Sequence, residues 1–80
     1  MKTLKVLYFA VLREQRGLAE EILTTTAPTA AELYAELRAR HRFTLPAECL
    51  RAALNAQFAP WTAELRDGDE LAFIPPVAGG

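Results

Sequence analysis

Few residues of this chain carry side chains that run reactions. There is one cysteine, Cys49, and one histidine, His41. A thiol nucleophile needs a base to make its thiolate, and a zinc site takes three or four ligands, so this pair is expected to do neither. Cys49 reads as a small buried hydrophobe, and His41 as a solvated residue favoured by a helix C-terminus. Glu20 and Glu21 are neighbours on a strand-like stretch and would point to opposite faces, a poor arrangement for paired acid–base work. Asp67-Gly68-Asp69-Glu70 begins like a calcium loop but lacks its remaining oxygen ligands, and reads as a turn. Gly17 stands alone, so there is no glycine-rich phosphate cradle.

That leaves the end of the sequence, Phe73-Ile74-Pro75-Pro76-Val77-Ala78-Gly79-Gly80. Two prolines in a row fix φ and favour a stiff extension. At roughly 3.3 Å per extended residue, Val77 to Gly80 would carry the α-carboxylate on the order of 13 Å outward. Gly79 and Gly80 have no Cβ and make the slimmest tip for a narrow active site. A carboxylate is anionic at neutral pH and a poor electrophile. It becomes a carrier only after another enzyme converts it to an acyl-adenylate, which then takes sulfur to give a thiocarboxylate or an amine to give a conjugate. The residues alone leave both chemistries open, beside a tail with no function.

The elements behind that tail must make a compact body from 80 residues, of which 51% are hydrophobic and 24% charged. A formal charge of −1 gives no basic field for nucleic acid or an anionic membrane. A single cysteine excludes an internal disulfide framework and fits a reducing cytoplasm. No secretory leader is read at Met1-Lys2-Thr3-Leu4-Lys5, and no apolar run approaches the roughly 20 residues that span a bilayer. The expectation is one cytoplasmic domain over 1–80, with 75–80 as an extended tail.

Leu4 to Val11 is nearly continuously apolar and predicts a central strand buried on both faces. Arg13-Glu14-Gln15-Arg16-Gly17 predicts a polar loop, and Glu20 to Thr26 a second strand pairing antiparallel with the first. Thr29 as N-cap with Glu32 starts a helix whose inner stripe is Ala30, Leu33, Tyr34 and Leu37, continued by His41. Glu36 and Arg40 are spaced for a surface pair, and Pro46 ends any continuation. Ala52-Ala53-Leu54-Asn55 predicts a third strand turning at Asn55-Ala56-Gln57. Phe58 opens a short strand limited by Pro60, and Glu70 to Pro75 forms the last. Phe9, Phe58, Trp61 and Phe73 are candidates for core or partner surface. The order ββαβ(β)β is an α+β fold, a mixed four- to five-stranded sheet with one main helix on one face.

This order, the opening Lys5-Val6-Leu7-Tyr8-Phe9-Ala10 with Arg13-Glu14, the middle Ala53-Leu54-Asn55 and the run from Asp67 through Phe73-Ile74-Pro75-Pro76-Val77-Ala78-Gly79-Gly80 resemble the small, sulfur-carrier subunits of molybdopterin synthase (the MoaD type). The likeness spans essentially the whole chain. It implies a ubiquitin-like β-grasp fold and no permanently bound cofactor. It implies that an ATP-dependent activating enzyme, working with Mg, adenylates Gly80, and that a cysteine desulfurase or rhodanese-like donor supplies the sulfur. The thiocarboxylate would then enter the large, catalytic synthase subunit and give sulfur to cyclic pyranopterin monophosphate, two carriers serving one dithiolene in a heterotetramer. Carried over by position, Gly79 and Gly80 are the reacting end. Phe9, Phe58 and Ile74 contact the partner, together with Pro75, Pro76, Val77 and Ala78 of the tail. Related carriers serve thiamine synthesis or transfer RNA thiolation, or modify proteins. The Phe-Ile-Pro-Pro-Val run favours the molybdopterin type.

Overall fold

The structure, a computed structural model, describes residues 1–76. The first strand, β1 (Lys2–Tyr8), is shorter than the apolar run that predicts it. The chain leaves the sheet at Phe9, turns through Ala10 at φ 52°, and enters a short helix, α1 (Ala10–Arg16). The expected loop at 13–17 is therefore a helix and its cap. Its polar residues form the exposed side of an element that buries only Leu12, the residue just past the apolar run. Gly17, at φ 82°, closes α1 in the left-handed conformation glycine adopts without strain, its N–H donating to Arg13 O at 2.8 Å.

β2 (Glu20–Thr25) returns antiparallel to β1, as expected. The main helix, α2 (Ala30–His41), starts where the sequence places it, with Thr29 Oγ1 accepting from Glu32 N at 3.3 Å. The other open N–H groups of its first turn are met from 61–65: Ala30 N donates to Ala63 O and Ala31 N to Trp61 O. Ala30, Leu33, Tyr34 and Leu37 are buried, and Arg42 closes the helix at φ 58°. A 3-10 turn, Ala47–Cys49, leads into β3 (Arg51–Leu54), which is joined to β4 (Gln57–Ala59) through Asn55-Ala56; β5 (Glu70–Ile74) comes last.

The five-stranded sheet has the order β2-β1-β5-β3-β4, with β1 and β5 parallel and the other pairs antiparallel. One helix lying across one face of this mixed sheet is the α+β, ubiquitin-like β-grasp fold. It also corrects the reading of β1. The strand is interior, but β5 holds the middle of the sheet, and β1 alternates between buried Leu4, Val6, Tyr8 and more open Lys5 and Leu7. Only one face has a helix to cover it. The core lies between α2 and that face, built on Tyr8, Tyr34, Phe43 and Phe73, with Trp61 partly buried against it.

Candidate functional site

Strand register decides what the uncovered face displays. Inward residues of β5 are Leu71 and Phe73, so Glu70, Ala72 and Ile74 point outward. Leu7 pairs with Ala72, Ala72 with Ala53, and Ala53 with Phe58, which makes one row of side chains across four strands. The next row brings Arg51 opposite Ile74. Phe9, just past the end of β1, comes beside these, and the group surrounds a shallow depression of about 230 Å³.

The three apolar contact candidates are thus gathered on one face. Phe9 is 44% exposed and Phe58 64%, while Ile74 is half-buried. Exposed aromatic side chains around a recess are a costly surface for a free monomer and a common one for docking. Pro75 and Pro76 follow Ile74 directly and line a second hollow with Arg51, Phe58 and Cys49. Val77, Ala78, Gly79 and Gly80, also candidates, lie outside the described residues, as does that part of the expected 75–80 tail.

Two placements differ from the sequence reading. Cys49 is exposed, not a small buried hydrophobe, because the 3-10 turn carries it outward while Leu50 takes the inner position. Arg51, Ala53 and Ala72 went unnoticed as members of this face. The signal that finds them is the turn at Asn55-Ala56: a two-residue connection sets Leu54 against Gln57 and Ala53 against Phe58, and alternation does the rest.

A polar cluster ties the helix that follows Phe9 to the sheet. Arg16, on the last turn of α1, forks onto Glu21 of β2 with Nε at 2.9 Å from Oε2 and Nη2 at 2.8 Å from Oε1. Tyr8 Oη donates to Glu21 Oε2 at 2.5 Å. The hydrogen bonds from Arg16 hold the Glu21 carboxyl below the usual carboxylate range, while burial and the adjacent carboxylate push the Tyr8 phenol up. The cluster ties α1 to the sheet on the side away from the depression. Asp67-Gly68-Asp69-Glu70 is likewise structural: Gly68, at φ 89°, turns the chain, and Asp67 Oδ1 accepts from Thr3 N at 2.7 Å.

A family profile described as the ThiS family matches residues 6–80. The chain belongs to this family. Over 80 residues it is 39% identical to the molybdopterin synthase sulfur carrier subunit of Escherichia coli (strain K12), covering 96% of this chain and 99% of that protein. Over 83 residues it is 35% identical to the molybdopterin synthase sulfur carrier subunit of Mycobacterium tuberculosis (strain ATCC 25618 / H37Rv), with 100% of both chains covered. Among solved structures, a putative molybdopterin converting factor, subunit 1, from Pyrococcus furiosus superposes with a TM-score of 0.79 at 29% identity, covering 96% of this chain and 100% of that one. As a ThiS-family member the chain carries its apolar recess on the face opposite α2, beside the residues that lead toward Gly80.

Proposed function

We propose that this chain is the sulfur-carrier subunit of molybdopterin synthase and acts in the cytoplasm. The observation that carries the reading is the recess among Phe9, Phe58 and Ile74, opening on the same face as the Pro75-Pro76 root of the C-terminal segment. A partner seated there holds the body of the carrier while the segment beyond Pro76 enters its active site. Full-length relatives at 35–39% identity bearing the sulfur-carrier name support it.

In this reading the Gly80 carboxylate attacks the α-phosphorus of Mg-bound ATP on an activating enzyme, pyrophosphate leaves, and an acyl-adenylate forms. The terminal sulfur of a persulfide on a cysteine desulfurase or rhodanese-like donor attacks the acyl carbon and expels AMP, and a thiol then cleaves the acyl disulfide, leaving as a disulfide with the donor cysteine and releasing the thiocarboxylate. The resulting thiocarboxylate is delivered to the large subunit, gives its sulfur to cyclic pyranopterin monophosphate, and water returns Gly80 to a carboxylate. The large subunit supplies the catalytic side chains; this chain supplies the reacting atom and the surface that docks it.

The test is an intact mass of the chain after incubation with ATP, Mg, its organism's activating enzyme and a sulfur donor. The expected result is the gain for one oxygen replaced by sulfur, confined to the peptide ending at Gly80. An unchanged mass with a competent activating enzyme overturns the carrier reading, and isopeptide adducts to lysine would replace it with a protein modifier.

A further inference from the structure

We infer that Arg51 is a specificity-determining contact of this face, whose guanidinium takes a carboxylate of the large subunit that receives the tail; the inference rests on the carrier-subunit reading above. Arg51 sits opposite Ile74 in the β3–β5 ladder, at the point where the chain leaves the sheet through Pro75. Its Cζ lies 4.4 Å from the centroid of the Phe58 ring. Both residues are exposed.

A guanidinium stacked on a ring uses one flat side for the contact, and its N–H donors radiate within the plane. Held over the Phe58 ring, the guanidinium offers a planar donor fork of the shape that grips a carboxylate through two parallel hydrogen bonds. Among the described residues those donors are unused: no ion pair or side-chain hydrogen bond there involves Arg51. Glu48 borders the same hollow without reaching ion-pair distance.

Docking over Phe58 and Ile74 removes water from this fork as well. A charged donor buried without an acceptor disfavours the complex, so the surface that covers Phe58 must bring one, and a carboxylate neutralises the charge while matching the fork. The ring also fixes the long Arg51 stem beforehand, which lowers the ordering cost on binding. Lys5, the other cation of this face in β1, is already paired with Glu20 at 3.1 Å.

The experiment is a calorimetric titration of the full chain against the large molybdopterin synthase subunit of its own organism, at low and high salt. The proteins compared are wild type, Arg51→Gln, Arg51→Lys, Phe58→Leu and the Arg51→Gln/Phe58→Leu double variant, each with its melting temperature. The expected result is a roughly 10- to 100-fold weaker Kd for Arg51→Gln at low salt, from loss of charge-assisted hydrogen bonds, shrinking at high salt. Arg51→Lys restores only part of the affinity, because it keeps the charge but not the fork. The double variant loses less than the product of the single losses, since the ring acts partly through the guanidinium. A wild-type Kd for Arg51→Gln overturns the inference, and so does a loss that is independent of salt and multiplicative with Phe58→Leu. Absence of wild-type binding overturns the carrier-subunit reading and this inference with it.

Discussion

Ala53 on β3 lies directly opposite Ala72 on β5, and the two side chains floor the depression bordered by Phe9, Phe58 and Ile74. They are 7% and 6% exposed, yet they stand apart from the core beneath α2. Small side chains in the middle of a row flanked by large ones are what make the recess. Ala53→Leu fills it from below without touching the helix layer. The melting temperature should change little, with a stability effect within about 1 kcal/mol, while affinity for the large synthase subunit falls at least about 10-fold through steric exclusion. Unchanged affinity in titration would show that the partner does not enter this recess.

The Arg16–Glu21–Tyr8 cluster makes a prediction about acid. Tyr8, Arg16 and, at longer range, His41 face the Glu21 carboxyl, and the Arg16 hydrogen bonds lower its folded pKa. A depressed carboxyl contributes stability above its unfolded pKa of about 4.3 and loses that contribution as pH falls through the folded value. Glu21→Gln should therefore cost about 1–2 kcal/mol at pH 7, where wild type has the charge-assisted bonds, and the gap between the two should narrow below pH 4. Denaturant melts at pH 7 and pH 3 measure this. A gap that stays constant would mean the charge contributes nothing.

Most of the architecture was legible because its signals are local. Thr29 with Glu32 marks the start of α2, Pro75 marks the end of β5, and Asn55-Ala56 marks the β3–β4 turn. What misled was the apolar run from Leu4 to Val11. Composition does not distinguish a residue buried by a sheet from one buried by a following turn of helix, so Ala10 and Val11 read as strand, Arg13 to Gly17 read as a polar loop, and the helix that joins them goes unread. Burial on both faces failed for a related reason: Leu7 and Phe9 are apolar because they line an outer recess, not because a second layer covers them. The exposure of Cys49 depends on a 3-10 turn, too short to leave a periodic pattern. Phe9, Phe58 and Ile74 could be named by resemblance, but their convergence follows only from register, because they lie on or next to three different strands.

The β3–β4 turn carries backbone strain that one substitution should relieve. Asn55 and Ala56 have φ of 52° and 70°, the pair of left-handed residues a two-residue hairpin of this hand requires. Asn55 is suited to it, and its side chain also holds the β5 start: Oδ1 accepts from Glu70 N at 2.9 Å and Nδ2 donates to Asp69 Oδ1 at 3.0 Å. Ala56 has no such compensation and its Cβ opposes the conformation. Ala56→Gly should stabilise the chain by about 0.5–1 kcal/mol, raising Tm by roughly 3–6 °C for a domain of this size. A lower Tm would show that the added freedom of glycine in the unfolded chain outweighs the relief.

The exposed thiol supplies the sharpest test of where sulfur is carried. Cys49 shares the hollow at the root of the C-terminal segment with Pro75 and Pro76, so an accessible sulfur lies near the proposed route of the reacting end. A thiol of this kind is itself able to accept persulfide sulfur, but that adds a whole sulfur atom where the terminus exchanges oxygen for sulfur, so the size of the mass gain tells the two sites apart. Its surroundings argue against a role: the lone histidine, His41, is engaged with Phe43 at the end of α2, ring centroids 5.6 Å apart, and is not offered to Cys49 as a base. Cys49→Ala should therefore load sulfur to the wild-type extent. Removing Gly80 should reduce loading at least about 100-fold, because the carboxyl group then falls short of the activating site by one residue. The ladder of β5 is complete at Ile74, so the truncated chain should melt within about 2 °C of wild type. Loading that survives loss of Gly80 but not of Cys49 would transfer the carrier role from the terminus to the thiol.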